Sequence, residues 1–205
     1  DLNMLRRIIL LLFYSSFINA QIALPTFQAV HKTHSASSSS ADEWDSSYKG
    51  SSIVLSNSDR SATSNRSAPS HTWNSVYAKT EVSSGIQTWE VTVTSYYDSP
   101  ANSWELIIGV GHTRNNMATY CTSGGRSYGY IAQNGGKTNS GSKTSYGSTY
   151  GEGDVIKVEL DMSTGSLTFY KNNISQGVAY SVDTSKTYYL VTSIGNNGTM
   201  VEITN

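Results

Sequence analysis

Two carboxylates, Glu159 and Asp161, have the type and spacing that come nearest to a catalytic pair. Residues i and i+2 of a β-strand point to the same side, and glycosidases act through closely spaced carboxylates. However, Glu159 faces away from the apolar residues of its strand, and Asp161 is positioned to form a turn. No third acid follows along the strand. The pair therefore does not predict catalysis.

Histidine-based chemistry is also poorly supported. In the part of the chain predicted to fold, only His71 and His112 could act as a base, and no Gly-x-Ser-x-Gly elbow accompanies them. His31 and His34 lie three residues apart in a polar segment without further ligands, which indicates solvated side chains and not a metal site. The sequence predicts no enzyme, no cofactor and no metal.

The acidic pair belongs to a predicted β-hairpin over residues 151–173. Asp161 can bond the backbone two residues ahead, Gly165 can adopt the positive φ of a tight loop, and Asn172 with Asn173 can form the next turn. The alternating apolar residues predicted to face the core are Ile156, Val158, Leu160, Leu167 and Phe169. This hairpin predicts an antiparallel sheet.

Similar strand patterns recur along the chain, and the composition of 17 Gly, 14 Tyr and three Pro suits strands joined by turns. The predicted strands are 52–55, 73–78, 85–94, 104–110, 127–132, 188–194 and 200–204, with residues 57–70 and 133–148 as polar loops. About nine strands predict an all-β fold of two packed sheets. The net charge of −1 and the lack of a basic run argue against nucleic-acid binding.

The N-terminal residues predict an exported protein. Residues 1–3 precede a plausible start at Met4, and residues 4–20 combine a basic start, an apolar stretch and the small residue Ala20, as in a signal peptide. The apolar stretch is too short to span a membrane, so no span is expected in the mature chain. Residues 21–41 form a predicted Ser-rich flexible linker before the folded domain, 42–205.

Two further features concern the secretory route. Cys121 is the only cysteine, so it is either a small buried hydrophobe or an exposed thiol available for intermolecular pairing. Asn65, Asn173 and Asn197 each begin an Asn-x-Ser/Thr triplet in a predicted loop or turn and are candidate glycosylation sites.

Several blocks, taken in order, resemble a known family. They are Ile53-Val-Leu-Ser-Asn57, Gly85-Ile-Gln-Thr-Trp89, Ile108-Gly-Val110, Ser127-Tyr-Gly-Tyr130, Gly153-Asp-Val-Ile156, Gly165-Ser-Leu-Thr-Phe169 and Gly177-Val-Ala179. Together they are similar to a SPRY (B30.2-like) domain. The resemblance implies a bent antiparallel β-sandwich of the concanavalin A-like kind, with residues 200–204 as a C-terminal edge strand that lacks the family's usual ending.

The resemblance also implies a non-catalytic module that binds a protein or peptide through loops at one end of the sandwich. In the branch of the family that carries a SOCS box, three segments build a peptide pocket. The positions of this chain that correspond to it are Arg60 and Ala62, Tyr120 and Gly124, and Ile194. Ser61 replaces that branch's proline and Gly195 its tryptophan, so only the location of the pocket is carried over.

An alternative function is a secreted lectin-like protein. Asp98 with Asn102 offers too few oxygen ligands for calcium, so sugar binding would rest on aromatic loops. Tyr128 and Tyr130 are interpreted as structural, since they flank Gly129 inside a block that marks the fold. Secreted proteins of this kind also include effectors that enter another organism's cells, which the resemblance gives as a second destination.

Overall fold

The computed structural model describes residues 42–65, 73–97, 106–114 and 117–205. They form 14 strands in two antiparallel sheets of seven. Across these residues there is no helix, and so none long and apolar enough to cross a membrane. The predicted signal peptide and linker, residues 1–41, lie outside the described residues, as do His71, Asp98 and Asn102.

Sheet A follows the spatial order β1 (Trp44–Lys49), β4 (Asn74–Ala78), β13 (Tyr189–Ile194), β6 (Leu106–Gly111), β7 (Ser127–Ile131), β8 (Lys137–Asn139) and β9 (Ser142–Thr144). Sheet B follows the order β12 (Ile174–Ser181), β11 (Ser166–Lys171), β10 (Val155–Asp161), β5 (Ile86–Ser95), β14 (Met200–Ile203), β3 (Ser61–Ser64) and β2 (Ile53–Ser56). The predicted all-β sandwich is confirmed.

The predicted hairpin is β10 and β11, and Val158 pairs with Phe169 in its register. The Asp161 carboxylate accepts hydrogen bonds from the Ser163 amide at 2.8 Å and the Thr164 hydroxyl at 2.9 Å. Gly165 has a φ of 72°. Asp161 is therefore a turn residue, and its carboxylate stabilises the loop that Gly165 closes.

The core between the sheets includes the predicted inward face of the hairpin. Five apolar hairpin residues, together with Trp89, Val91 and Val93 of β5, are completely buried. On β6 both faces are covered, because Ile108 packs between the sheets while Ile107 belongs to a separate apolar cluster on the outer face of sheet A. Apolar residues on both faces of β6 are typical of a strand that is covered on both sides.

Aromatic rings join the two sheets. The Tyr130 ring of β7 lies with its centroid 5.4 Å from Phe169 of β11, 4.8 Å from Tyr150 and 5.4 Å from Tyr146. The Tyr150 hydroxyl donates to the Tyr130 carbonyl at 2.8 Å. Tyr130 is completely buried, which confirms its structural role.

Several predicted boundaries were wrong. The predicted polar loop 57–70 contains β3, because Ala62 packs into the core between Leu55 and Val201. The predicted loop 133–148 contains the short β8–β9 hairpin. β14 is not an edge strand, since it lies between β5 and β3. These strands are short or polar, so their local sequence pattern predicts a strand only weakly. Pairing with neighbouring strands determines their conformation.

Several connections between strands meet at one end of the sandwich and are joined by hydrogen bonds. Near it, Ser95 Oγ donates to the Gly198 carbonyl, the Asn196 amide donates to the Tyr97 carbonyl at 3.0 Å, and the Ser64 amide donates to the Thr199 carbonyl at 3.1 Å. We call this the loop end; its described residues are 64–65, 73, 95–97, 149–154, 171–173 and 195–199. The turns at 57–60 and 162–165 lie at the opposite end.

Candidate functional site

The described part of the connection between β6 and β7, residues 112–114 and 117–126, covers part of the outer face of sheet A. Its Cys121 packs on an apolar cluster formed by Tyr77, Ile107, Ile131 and Val191. Partly buried around this cluster are Tyr48, Trp73, Met117, Tyr120 and Tyr189. An otherwise exposed sheet face is thus used to support a loop.

Two buried serines fix this connection on the sheet. Ser75 of β4 donates from its hydroxyl to the Thr119 carbonyl at 2.6 Å, and Ser193 of β13 accepts from the Cys121 amide at 2.8 Å. The two hydroxyl oxygens lie 2.7 Å apart. Because each hydroxyl has one proton, Ser193 must donate to Ser75. The resulting hydrogen-bond chain attaches the residues on both sides of Tyr120.

Tyr120 lies between two neighbours on the outer face. Its ring meets Trp73 edge-on, with centroids 6.0 Å apart and planes at 69°. Its hydroxyl oxygen would be 3.3 Å from a Cβ at Gly141, in the β8–β9 turn. Trp73 in turn covers Gly195, where a Cβ would lie 3.4 to 3.5 Å from the indole. We call Trp73, Tyr120 and Gly195 the aromatic surface.

An arginine clamp holds the start of the same connection. The Arg114 guanidinium carbon lies 3.9 Å from the ring centroid of Tyr48 and 4.1 Å from that of Tyr189. Its Nη1 also pairs with Asp45 of β1 at 2.9 Å, with both side chains largely buried. Stacking and a partly desolvated ion pair keep Arg114, at the start of the connection, close to the sheet.

The structure separates the residues of the predicted pocket. Ala62 and Ile194 are completely buried core residues, so neither side chain offers a surface to a partner. Tyr120 is half-buried, and Gly124 is exposed in the same connection with a φ of 84°. Only Tyr120 and Gly124 of the five can therefore present surface from one segment.

Arg60 lies at the other end of the sandwich. Its carbonyl accepts from the Ile203 amide at 2.9 Å, and its guanidinium contacts the Asn57 amide oxygen at 3.4 Å. The neighbouring Asp59 is 3.8 Å from Lys79, which follows β4. Tyr120 lies near Trp73 and Ser75, where β4 begins. The length of β4 thus separates Arg60 from the aromatic surface.

Trp73 was not among the predicted site residues. The sequence signal that could have identified it is Gly195, because a residue without a side chain leaves space that a large ring can fill. Trp73 fills that space from the start of β4. The two positions are 122 residues apart in the chain, so no local pattern connects them.

Cys121 is buried and unpaired, as the first of its two interpretations requires. Burial raises the pKa of the thiol to about 11. The thiol is therefore protonated near neutral pH and unreactive. Within the described ranges, no group of three His, Cys, Asp or Glu side chains could hold a metal ion.

The three candidate glycosylation sites all lie at the loop end. Asn65 follows β3, Asn173 lies in the β11–β12 turn and Asn197 lies between β13 and β14; all three are exposed. The Thr199 hydroxyl of the last triplet is buried and accepts from the Tyr97 amide at 3.2 Å. Glycans at these positions would surround the end that bears Trp73.

Comparison with protein families gives a match to the SPRY domain over residues 86–204, more than half of the chain. Among curated proteins, the chain is similar to SPRY domain-containing SOCS box protein 3 of Xenopus laevis. The two are 30% identical over 143 residues, which cover 66% of this chain and 38% of the relative. The Xenopus tropicalis protein of the same name is 33% identical over 102 residues, 46% of this chain and 27% of that protein.

Solved structures show the same fold. The SPRY domain of human HERC1 matches with a TM-score of 0.64 and 22% identity, covering 79% of this chain and 97% of that domain. The TRIM65 PSpry domain matches with a TM-score of 0.63 and 16% identity, covering 81% of this chain and 93% of that one. The chain spans less than two fifths of the curated relatives, so their remaining segments have no counterpart in the match.

Proposed function

The chain belongs to the SPRY domain family, and on that premise we propose that it is a non-catalytic module that binds a protein or peptide through its aromatic surface. The family is a protein-interaction module, and its curated relatives are named for a SPRY domain and a SOCS box. Which surface is used, and where the protein acts, are the parts that we propose.

The observation that supports this proposal is the fixed position of Tyr120. The hydrogen-bond chain through Ser75 and Ser193 holds the backbone on both sides of it, and Trp73 packs against its ring. Half-buried Tyr and Trp side chains offer large contact areas and lose little conformational entropy when they are already held in place. A rigid aromatic pair on the outer face of sheet A has the properties of a protein-binding hot spot.

Variants of this surface test the proposal. After affinity capture and mass spectrometry identify a partner, its affinity is measured with Tyr120→Ala, Trp73→Ala and Arg60→Ala. We expect the first two to weaken binding by about tenfold or more, and Arg60→Ala, at the opposite end, to leave it unchanged. Loss of affinity with Arg60→Ala alone would show that the aromatic surface is not the binding site.

The proposal includes export from the producing cell. It is supported by the basic start, apolar stretch and small residue within positions 4–20. When the chain is expressed with its own leader in a secreting cell, the culture medium should contain protein that begins near Gln21, as determined by N-terminal sequencing. Retention in the cell with residues 4–20 intact would contradict export and leave the binding proposal unaffected.

A further inference from the structure

A second concave site opens at the loop end, between the two sheets. It is a cleft of about 330 Å³ beside the ends of β5, β7 and β11, and its polar residues include Gln133, Asp154 and Lys171. This volume lies within the range of ~300 to 1,000 Å³ that is usual for ligand pockets. It shares no residue with the aromatic surface.

The charges of the cleft are fixed and cancel each other. The Lys171 ammonium group pairs with Asp154 at 3.1 Å and donates to the Thr149 carbonyl at 2.8 Å. Asp154 also accepts hydrogen bonds from the backbone amide of Gly151 at 2.9 Å and from the side-chain amide of Asn172 at 2.7 Å. Two of the three Lys171 protons are thus used, and the third can reach a ligand. The cleft therefore offers a donor without a net charge.

Gln133 provides the complementary groups. It follows β7 and is half-buried in the cleft, and its side-chain amide forms no hydrogen bond with any residue in the described part of the chain. An amide presents a donor and an acceptor side by side. A second amide can satisfy both at once, whereas a carboxylate or an ammonium group can satisfy only one.

The aromatic residues of the cleft do not form an open platform. Tyr150 is almost completely buried, and the ring of Tyr96 lies close to Gly151, where a Cβ would be only 3.2 Å from it. Sugar recognition by stacking needs an accessible ring face. The lining instead leaves a cleft whose two charged groups neutralise each other, which suits an uncharged amide.

We propose that this cleft binds an uncharged peptide segment whose side-chain amide pairs with Gln133 and directs its carbonyl to Lys171. This inference rests on the proposed function for the class of the ligand, but it uses different residues. It adds a second subsite at the loop end, beside the one formed by the aromatic surface.

The test uses defined probes and the full chain labelled with ¹⁵N. Acetyl-Ala-Gln-Ala-amide should shift the Gln133 side-chain NH₂ signals and the Gly151 amide signal in a saturable manner. Acetyl-Ala-Glu-Ala-amide should bind at least about tenfold more weakly, because its carboxylate cannot donate to Gln133 and approaches Asp154. Methyl α-mannoside should cause no saturable shift.

Variants separate this site from the aromatic surface. Gln133→Leu should weaken probe binding about tenfold or more without affecting the fold, since its side chain has no hydrogen bond to the described residues to lose. Tyr120→Ala should leave probe binding unchanged, so that failure of the aromatic surface would not imply failure of the cleft. Equal binding of both peptides, saturable binding of the sugar alone, or unchanged binding by Gln133→Leu would each overturn the proposal.

Discussion

The hydroxyl oxygens of Ser75 and Ser193 lie 2.7 Å apart beneath the segment that carries Tyr120. They come from adjacent strands of sheet A, and together they connect the Cys121 amide to the Thr119 carbonyl. Because every proton in this chain has one acceptor, its direction is determined. The arrangement fixes a surface loop through two side chains that never reach the surface.

We expect Ser193→Ala to lower the free energy of unfolding by about 1 to 3 kcal/mol, because the buried Cys121 amide then loses its acceptor. Urea unfolding measures this change. Ser142→Ala, on the exposed strand β9, is the control and should be nearly neutral. A Ser193→Ala protein as stable as the wild type would show that the hydrogen-bond chain is not needed to hold the loop.

Gly195→Trp should be destabilising by about 1 to 3 kcal/mol, since a second indole would compete with Trp73 for the same space. Gly195→Ala should be nearly neutral, because its Cβ would make ordinary contacts of 3.4 to 3.5 Å. Denaturant unfolding distinguishes the two variants. The double variant with Trp73→Ala and Gly195→Trp should lose less stability than the sum of the losses of the two single variants. Losses that simply add would argue that the two indoles do not share one space.

Gly165→Ala should destabilise the domain more than Gly153→Ala. Both glycines have positive φ, at 72° and 83°, which costs a residue with a Cβ about 1 to 2 kcal/mol. At Gly165 the new Cβ would also lie 2.7 Å from the Val182 carbonyl oxygen, whereas nothing lies within 4 Å at Gly153. Thermal or urea unfolding of the pair measures the difference. Equal losses would mean that the β10–β11 turn can shift without penalty.

Stability should decrease as the pH falls through the titration range of His112. Burial, followed by the charge of Lys186, lowers the pKa of His112 below its ordinary value, although Asp183 opposes this. The unfolded chain therefore takes up the proton first, from about pH 6.5 downward, until the folded protein also titrates. Urea unfolding between about pH 5 and pH 8 should show that the free energy of unfolding depends less on pH in His112→Gln than in the wild type. An unchanged pH dependence would show that His112 is not its source.

Export through a glycosylating pathway should modify Asn173, which is exposed in the β11–β12 turn with a φ of 66°. Asn173→Gly removes the acceptor and keeps this backbone conformation available. Treatment with a peptide N-glycosidase should reduce the mass of the wild-type protein by one glycan more than that of the variant. An exported protein with the same mass loss in both would show that Asn173 is not used.

The sequence by itself determined the framework. Alternation in β10 and β11 specified which of their side chains face the core, and Asp161, Gly165, Asn172 and Asn173 specified the turns. These signals are local, because strand periodicity and turn geometry depend on a few consecutive residues. The blocks that resemble the family could be recognised for the same reason, because each is a short local segment.

The tertiary structure alone decided the candidate site. Ala62 appeared in a polar stretch and became core through pairing with β2 and β14, while Arg60 came to lie at the opposite end from Tyr120. Trp73 and Gly195, and Ser75 and Ser193, meet only because β4 and β13 are neighbours in sheet A. Such contacts join residues more than a hundred positions apart, and strand order, not local sequence, brings them together.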